Sequence, residues 1–332
     1  KNKKHVVTAN KALIAKYGDQ LSKIAEKNNV NLEFEAAVCG GVPIIRSLKE
    51  GLIANKISKV YGIFNGTSNY ILSSMDKEDK SFDEVLNNAK KLGYAESNPS
   101  SDLNGEDVAA KLKILSSLCF NSFLNNNIYV EGIKDIDKQD IDNSNKLGYK
   151  IKLLGYAEIL NNKIYQRVHP TLVKKSSYIA SIDGVLNAVI VDGKPMGRSI
   201  IQGEGAGPSA TTSALVSDIS SILRGNIKFP FSLSNEERKI LKSDNVNERF
   251  FSAYIRFEVL DKPGVLSNIT NAFSKNKVSI KRLVQDPNRN KKSSSITTIK
   301  FKLSCSLKVL INLYSYISKN NIDVIHTHSS VD

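Results

Sequence analysis

Short runs of β-branched residues alternate with stretches in which apolar residues recur at helical spacing along most of the chain. Residues 5–8 form a β-rich run, and apolar residues at helical spacing follow from Leu13 to Ala25. A second β-rich run over residues 31–38 predicts another strand. Strand, helix and strand in this order are typical of the βαβ unit of a parallel sheet. One such unit cannot cover both faces of a sheet, so we expect the chain to hold only part of that domain.

Between residues 39 and 249 the pattern changes from helices to strands and back. A Gly-Gly-Val-Pro turn comes first, and a helix through Ile44 and Ile53 follows it. Further helices are predicted at about 66–76, 81–91, 103–120, 138–149 and 208–224, and strands at about 57–64, 128–131, 157–160, 163–168 and 188–191. Residues 226–249 are polar and charged, and they predict a linker.

The last part of the chain has an order of elements of its own. Strands are predicted at 253–260, 278–285, 295–304 and 322–328, with helices at 265–275 and 306–319. This βαββαβ order is that of the ferredoxin-like fold. The sequence therefore predicts an α/β protein in which residues 250–332 form a separate ferredoxin-like domain.

Composition and charge narrow the classes of protein that fit. The 332 residues are 41% hydrophobic and 24% charged, as in ordinary globular proteins of about two domains. The net charge of +14 is spread over scattered lysines, which disfavours a nucleic-acid-binding protein. No apolar run reaches the roughly 20 residues of a membrane-spanning helix, so no membrane partner is expected. Three cysteines without a CxxC pair indicate neither a zinc site nor a disulfide framework.

Asp107 and Lys111 are the first candidates for chemistry. Their four-residue spacing places both side chains on one face of the predicted helix 103–120. On a helix surface such a pair contributes only about 0.3–0.5 kcal/mol to stability and needs no function. If the pair faces a cleft, a lysine whose pKa is lowered by burial can exchange a proton with a substrate hydroxyl, although the aspartate would oppose that lowering. The spacing alone leaves both interpretations open.

Three turn regions offer weaker candidates. Lys11 follows the strand at 5–8, and ligands of open α/β sheets bind at the carboxyl ends of strands, but a solvated lysine at a helix start also fits. The glycine-rich stretch 203–207 precedes the helix at 208–224, where backbone N–H groups can approach a cofactor, but a simple loop fits as well. The turn 35–43 can hold a hard cation through one carboxylate and several carbonyls, or be a plain turn.

Taken together and in this order, six motifs resemble those of homoserine dehydrogenases. The motifs are His5-Val-Val-Thr-Ala-Asn-Lys11, Glu35-Ala-Ala-Val-Cys-Gly-Gly-Val-Pro-Ile-Ile45, Asn65-Gly-Thr-Ser-Asn-Tyr-Ile-Leu72, Gly93-Tyr-Ala-Glu96, Asp102-Leu-Asn-Gly-Glu-Asp-Val-Ala-Ala-Lys111 and Gly203-Glu-Gly-Ala-Gly207. The resemblance covers the chain from its first residue to about residue 225. It implies NAD(P)-dependent interconversion of L-homoserine and L-aspartate 4-semialdehyde, on the route to threonine, methionine and isoleucine.

The resemblance also implies a role for individual residues. Lys111 resembles the catalytic proton-transfer lysine, Asp107 its partner, and Lys11 the lysine between the cofactor and the substrate hydroxyl. The implied substrate-binding residues are Glu96, which would hold the amino group, and Asp102, Thr67 and Tyr70. The implied cofactor-binding residues are Lys11, Gly203, Gly205 and Gly207, and the implied sodium ligands are Glu35 and the carbonyls of Val38, Gly40 and Val42. NADP and NAD both remain open, because the residue that reads the ribose 2′ position is not among these motifs.

The resemblance departs from the family at the front of the chain. Homoserine dehydrogenases carry a Rossmann half of on the order of 100 residues before the Thr-Ala-Asn-Lys stretch. We therefore predict that residues 1–37, with the returning helix at 208–225, are the last part of a Rossmann domain, and that residues 38–207 are the catalytic and dimerisation domain. We also expect the natural gene to continue upstream, and the chain alone to bind nicotinamide cofactor poorly.

The region at 250–332 resembles an ACT domain, through the turn Asp261-Lys-Pro-Gly-Val-Leu266 and the strand that ends in Leu283-Val-Gln285. ACT domains bind amino acids, so threonine is the expected effector; a domain used only for assembly is the alternative. The family resemblance further implies a cytoplasmic homodimer or homotetramer. The alternative function is a catalytically incomplete amino-acid sensor, which the intact Lys11, Glu96, Asp107 and Lys111 disfavour.

Overall fold

The structure, a computed structural model, describes residues 2–226, 229–244, 250–260, 263–287, 296–306 and 324–330. The chain forms two compact units, Lys1–His169 with Lys175–Asp244 and Pro170–Lys174 with Asn245–Asp332. The elements are, in chain order, β1 (Val6–Val7), α1 (Lys11–Lys27), β2 (Leu32–Glu33), α2 (Ile44–Arg46), β3 (Lys56–Ile63), α3 (Gly66–Glu78), α4 (Phe82–Lys91), α5 (Ser100–Leu103), α6 (Glu106–Phe120), β4 (Tyr129–Val130), α7 (Lys138–Lys146), β5 (Tyr149–Leu160), β6 (Lys163–Lys174), β7 (Leu186–Lys194), β8 (Gly197–Glu204), α8 (Pro208–Leu223), β9 (Lys242–Ser243), β10 (Phe250–Leu260), α9 (Val265–Lys275), β11 (Ser279–Pro287), β12 (Ile296–Ser306) and β13 (Val324–Ser330).

The first unit opens with the predicted βαβ unit. β1 and β2 pair in parallel, and α1 connects them. α1 begins after Asn10, whose side-chain oxygen accepts a hydrogen bond from the backbone N–H of Leu13 at 3.0 Å. The second strand is shorter than the predicted run 31–38. It ends early because the backbone N–H of Glu35 donates to the carboxylate of Asp218 at 2.9 Å, and the chain turns there.

An antiparallel arrangement dominates the sheet of the first unit. The strand order is β6-β5-β3-β7-β8, with β3 antiparallel to β5 and β7, and β7 antiparallel to β8. α6 packs against β3 and β5, so its first turns lie beside the sheet. Within the described ranges, no helix is long and apolar enough to cross a membrane.

The strands β5 and β8 also differ from the elements that the sequence predicts. β5 begins at Tyr149 rather than near residue 157, because Gly148 adopts a φ of +86° and turns the chain out of α7. β8 has no predicted counterpart. It is an edge strand in which exposed and half-buried positions alternate, and its Gly, Arg, Ser and Gln residues hide the apolar alternation that marks a strand.

The predicted linker at 226–249 is wrong for the part that the structure describes, residues 229–244. Phe231 is fully buried and Arg238 is buried, and the short strand β9 pairs in parallel with β6. The sequence predicts a linker here because the segment is polar and charged. In the structure Arg238 pairs with Asp19 of α1 at 2.7 Å, and residues 229–244 belong to the first unit.

The second unit contains a sheet with the order β11-β12-β10-β13. β10 pairs antiparallel with β12 and β13, and β11 pairs antiparallel with β12. α9 matches the predicted helix at 265–275, and it buries Ile269, Ala272 and Phe273. The helix predicted at 306–319 lies outside the described residues, apart from residue 306, which ends β12.

Candidate active site

A single buried carboxylate joins two lysines at the start of α6. Asp107 is only 3% exposed. Its Oδ1 lies 2.8 Å from the Nζ of Lys11, and its Oδ2 lies 2.8 Å from the Nζ of Lys111. Asn65 donates a third hydrogen bond, from Nδ2 to Oδ2 at 2.8 Å. The structure therefore brings together the three predicted catalytic residues, with two ammonium groups around one carboxylate.

The cleft interpretation of the Asp107–Lys111 pair fits the structure, and the surface interpretation does not. α6 starts after Gly105, whose φ of +81° lets the chain turn sharply into the helix. Lys111 is buried, and its Nζ also donates to the backbone carbonyl of Phe64 at 2.6 Å, just beyond the end of β3. Lys11 closes the group from the first residue of α1 and stays 43% exposed along its side chain.

Burial and charge oppose each other in this cluster. For Asp107, burial raises the pKa of the carboxyl, but the nearby charges of Lys111 and Lys11 outweigh it and lower that pKa to about 2. For Lys111, burial lowers the pKa, and the charge of Asp107 more than compensates, so the pKa lies above its ordinary value. Lys111 is therefore an ammonium ion in this state. The sequence suggested that burial could lower the pKa of Lys111 and so activate it. In the structure the charge of Asp107 outweighs that effect of burial.

The predicted substrate-binding residues lie around the start of α3. Asn65 caps this helix through a hydrogen bond that its Oδ1 accepts from the N–H of Ser68 at 2.7 Å. The Nδ2 of Asn65 also donates to Asp102 at 2.7 Å, so one amide bridges Asp102 and Asp107. Burial raises the pKa of the Asp102 carboxyl. Asn65 itself was missed as a functional residue, although it opens one of the six motifs.

The loop that carries Glu96 is held against α3. Thr67 donates from Oγ1 to the carbonyl of Tyr94 at 2.7 Å, and the rings of Tyr70 and Tyr94 lie 5.0 Å apart. Glu96 is exposed, and it forms neither an ion pair nor a hydrogen bond with any residue that the structure describes. Its carboxylate is therefore available to a ligand, and Thr67 and Tyr70 contact the same loop at Tyr94.

The two glycine-containing turns that the sequence singled out separately lie in direct contact. The N–H of Gly41 donates to the carbonyl of Glu204 at 2.9 Å. A Cβ at Gly40, where φ is +24°, would lie 3.1 Å from the carbonyl oxygen of Gly205. A Cβ at Gly205 would lie 2.1 Å from the buried side chain of Asn187. Backbone thus packs directly on backbone here.

The stretch 203–207 ends where the helix α8 begins. Gly207 has a φ of +109° and precedes α8, whose first residue is Pro208. A Cβ at Gly207 would meet open space, so the backbone is exposed there. Gly203 lies in β8, and a Cβ at this position would lie 3.4 Å from the carbonyl oxygen of Gly41. The predicted cofactor-binding glycines therefore flank the turn 39–43 on one side and the open end of α8 on the other.

The carboxylate of Glu35 caps α2. Its Oε1 accepts from the N–H of Ile45 at 2.9 Å, and its Oε2 accepts from the N–H of Arg46 at 2.7 Å. Burial raises the pKa of Glu35 to about 7, against the lowering effect of these two bonds. Nearby, the carbonyl of Val42 accepts from Ile44 at 2.7 Å. The described residues contain no group of three His, Cys, Asp or Glu side chains that could hold a metal ion, so a cation here would depend on backbone carbonyls.

Comparison with known proteins decides the family. The model of the homoserine dehydrogenase family matches residues 43–220, which is more than half of the chain, and the ACT domain model matches residues 253–301. The chain belongs to the homoserine dehydrogenase family. It is an oxidoreductase of amino-acid biosynthesis with a C-terminal ACT domain, as the six motifs and the C-terminal turn predicted.

Individual homoserine dehydrogenases support the assignment. The enzyme of Neisseria gonorrhoeae is 42% identical over 295 residues, which cover 86% of this chain and 67% of the relative. A crystal structure of the enzyme from Thiobacillus denitrificans has 36% identity and a TM-score of 0.91, over 99% of this chain and 76% of that one. A hyperthermophilic archaeal homoserine dehydrogenase in complex with NADPH has 29% identity and a TM-score of 0.59, over 68% of this chain and 66% of that one.

Replacement of Glu35 by Gln is expected to remove a pH dependence of stability from this homoserine dehydrogenase. The pKa of Glu35 is raised in the folded state, so its contribution is full below about pH 4.5 and is lost as the pH rises through about 7. Urea denaturation of the wild type should show a decrease of about 3 kcal/mol in unfolding free energy from this group across that window. Glu35→Gln should flatten the window, whereas Glu50→Gln, at an exposed position nearby, should not. If the unfolding free energies of the wild type and of Glu35→Gln depend on pH in the same way, the raised pKa of Glu35 is contradicted.

Proposed function

We propose that Lys111 and Lys11 transfer and hold the proton of the homoserine hydroxyl, with Asp107 as the carboxylate that fixes both. The observation that carries this proposal is the bridge from one buried carboxylate to two lysines at 2.8 Å each. A lysine held in this way is oriented before substrate arrives, and part of the activation barrier is removed by that orientation. Asn65 supports the same carboxylate from the start of α3.

In the direction of reduction, the ammonium of Lys111 donates a proton to the aldehyde oxygen as the carbon receives hydride. The nicotinamide cofactor supplies that hydride, or accepts it in the reverse direction. In the direction of oxidation, Lys111 must first lose its proton, because Asp107 keeps its pKa high. Oxidation should therefore become faster as the pH rises. Lys11, more exposed than Lys111, stabilises the negative charge that develops on the substrate oxygen.

The backbone of the stretch 203–207 supports the proposal of a cofactor site. Gly207 leaves backbone uncovered beside the start of α8, where N–H groups have no partner within the helix, and Gly203 and Gly205 belong to the same stretch. We infer that these glycines and Lys11 contact the nicotinamide cofactor, with both NADP and NAD as candidates. The wild type should be assayed with each cofactor separately, and the ratio of the two kcat/KM values decides the preference.

The overall activity is tested by NAD(P)⁺-dependent oxidation of L-homoserine, followed by the absorbance of the reduced nicotinamide. Titration calorimetry with homoserine alone measures substrate binding without the cofactor. Binding with turnover supports the proposed roles. Threonine binding in the absence of any homoserine binding would instead support the amino-acid sensor.

Replacement of Glu96 by Ala is expected to lower kcat/KM for homoserine by about 10–100-fold, chiefly through KM. We propose that its free carboxylate pairs with the substrate ammonium, beside Asp102, Thr67 and Tyr70, and a charge-assisted hydrogen bond contributes about 1.5–3 kcal/mol. Steady-state kinetics of homoserine oxidation measures the change. Asp83→Ala, at an exposed acid on the preceding helix, is the matched control and should change neither constant. An unchanged KM in Glu96→Ala would contradict this role.

A sodium ion is proposed at the turn 35–43, with Glu35 and the carbonyls of Val38, Gly40 and Val42 as ligands. A buried carboxylate with a raised pKa has much to gain from a cation, because the cation stabilises its charged form. The pH window of stability described for Glu35 should therefore move to lower pH in sodium chloride relative to N-methylglucamine chloride. Identical windows in the two salts would argue against the ion.

For the second unit we propose threonine as the effector, in a cytoplasmic homodimer or homotetramer. We further propose that the catalytic domain spans 38–207 between parts of a Rossmann domain at 1–37 and 208–225. The ACT domain match at residues 253–301 supports amino-acid binding. Threonine should raise the melting temperature in a concentration-dependent way, whereas no shift favours a domain used only for assembly. Light scattering coupled to size-exclusion chromatography measures the oligomeric state.

A further inference from the structure

We propose that Arg238 is a positioning residue, which sets the spacing of α1 and α6 and through it the placement of Lys11 on Asp107, beside Lys111. The inference rests on the proposed roles of these lysines. It assigns a function in the reaction to the segment 229–244, whose composition alone is that of a linker.

The side chain of Arg238 is fully buried between α1 and α6. One terminal nitrogen donates to Asp19 of α1 at 2.7 Å and to Ser117 of α6 at 2.9 Å. The same nitrogen donates to the carbonyl of Ser122 at 2.7 Å. The guanidinium also lies between two aromatic rings, 4.6 Å from the centroid of Phe123 and 4.3 Å from that of Phe231. Arg238 is thus a buried, hydrogen-bonded link between the two helices.

The same two helices carry the proposed catalytic residues. Lys11 and Asp19 are eight residues apart on α1, which corresponds to about 12 Å along the helix. Asp107 and Ser117 are ten residues apart on α6, or about 15 Å. The helices are therefore linked twice, by the Lys11–Asp107 ion pair at one end and by Arg238 at the other. A change in spacing at the second link alters the first, because a helix moves as a stiff unit.

A second contact of the same segment strengthens this attachment to α1. The N–H of Asn235 donates to Glu26 at 3.0 Å, and its side-chain amide donates to Ser22 at 2.9 Å. Phe231 packs on Gly18, where a Cβ would lie 2.9 Å from its ring. α1 is thus held along the length that follows Lys11, and Arg238 is the residue that joins this attachment to α6.

Removal of this link should affect turnover more than substrate binding. Arg238→Ala removes the cation beside Asp19, which among the described residues keeps only the hydrogen bond from the N–H of Leu124, and opens a gap between two rings, so α1 and α6 can shift relative to each other. A misplacement of about 1 Å at a catalytic group can cost up to about 100-fold in rate, and we expect kcat to fall at least about 10-fold. KM for homoserine should stay within about twofold, because the contacts of Arg238 with Asp19, Ser117 and Ser122 do not involve the proposed substrate-binding residues.

The pH profile separates positioning from a general loss of folded protein. As Lys11 on α1 separates from Asp107 on α6, its positive charge no longer opposes the ammonium of Lys111 on the same carboxylate, so the raised pKa of Lys111 should rise further and the acidic limb of kcat for homoserine oxidation should move to higher pH by about half a unit. Arg238→Lys keeps the charge opposite Asp19 and should restore part of kcat and of the limb. If Arg238→Ala does not fold, Arg238→Lys is the variant in which kcat and the acidic limb are measured. Arg224→Ala, at an exposed arginine after α8, is the matched control.

A measurement without turnover distinguishes failure of this inference from failure of the proposed function. Lysine acetylation under native conditions, read by peptide mass spectrometry, should be at least about threefold faster at Lys111 in Arg238→Ala than in the wild type. Lys152, whose side chain is 1% exposed and is paired with Asp183 at 2.8 Å, is the internal control. An inactive wild type would contradict the proposed function. The acetylation rate of Lys111 would then still test whether Arg238 is a positioning residue. Equal increases at both lysines, or a lower kcat with an unmoved limb, would overturn the proposal.

Discussion

Lys111→Ala is expected to lower kcat for homoserine oxidation by about 10²–10⁴-fold, the usual contribution of a positioned proton-transfer group. The reason is that the substrate hydroxyl proton then has no buried acceptor at the end of β3. Asp107 and Lys11 remain, but Lys11 is more exposed than Lys111, and the carboxylate is held by Lys11 and Asn65. Steady-state kinetics at saturating homoserine and cofactor measures the effect.

Lys113→Ala is the matched control for this variant. It removes the same side-chain type two residues further along α6, where Lys113 is only half-buried. Its kcat should stay within about twofold of the wild type, in line with a surface substitution. A kcat in Lys111→Ala within tenfold of the wild type would assign proton transfer to another group, with Lys11 as the first to examine by the same substitution.

Asp107→Ala is expected to lower the unfolding free energy by about 3–5 kcal/mol at pH 7, because it leaves the buried Lys111 without its counter-ion. Urea denaturation measures this difference. The contribution of Asp107 should be full above about pH 4 and should disappear as the pH falls through about 2, since the pKa of this group is lowered in the folded state.

A double variant tests the physical reason. Replacement of Lys111 by Met in addition to Asp107→Ala removes the unpaired buried charge, and should recover part of the lost stability. No turnover is expected in either protein. If the double variant is less stable than Asp107→Ala by the full cost of a second core substitution, the unpaired charge is not the cause and the prediction is wrong.

The sequence predicts the chemistry of the Asp107–Lys111 pair but not its environment. Four-residue spacing is the same for a surface pair and for a buried one, so the pattern on α6 leaves the two open. The difference comes from β3, which ends at residue 63 and places the carbonyl of Phe64 against Lys111. That contact joins positions 47 residues apart, and local spacing carries no information on it.

Edge strands and packed charged segments show the same limit. β8 has weak alternation because only one side of it is paired, and with this strand unpredicted the contact between Gly41 and Glu204 could not be foreseen. The segment 229–244 has the composition of a linker, and contacts with distant residues, among them Asp19 and Glu26 more than 200 residues away, make it part of the fold. Helices such as α1, α4 and α9 were predicted well because their caps and apolar faces are local.

The contact of the turn 39–43 with the stretch 203–207 has a consequence for how this enzyme can evolve. At Gly40, Gly41 and Gly205 the wall beside the proposed site consists of peptide groups, and a side chain at any of them would meet other atoms within 3.1 Å. Peptide groups keep the same donors and acceptors whatever residue is encoded, apart from proline, which lacks the N–H. Point mutation can therefore alter the lysines and carboxylates of the site one at a time, whereas most substitutions in this wall leave its donors and acceptors unchanged.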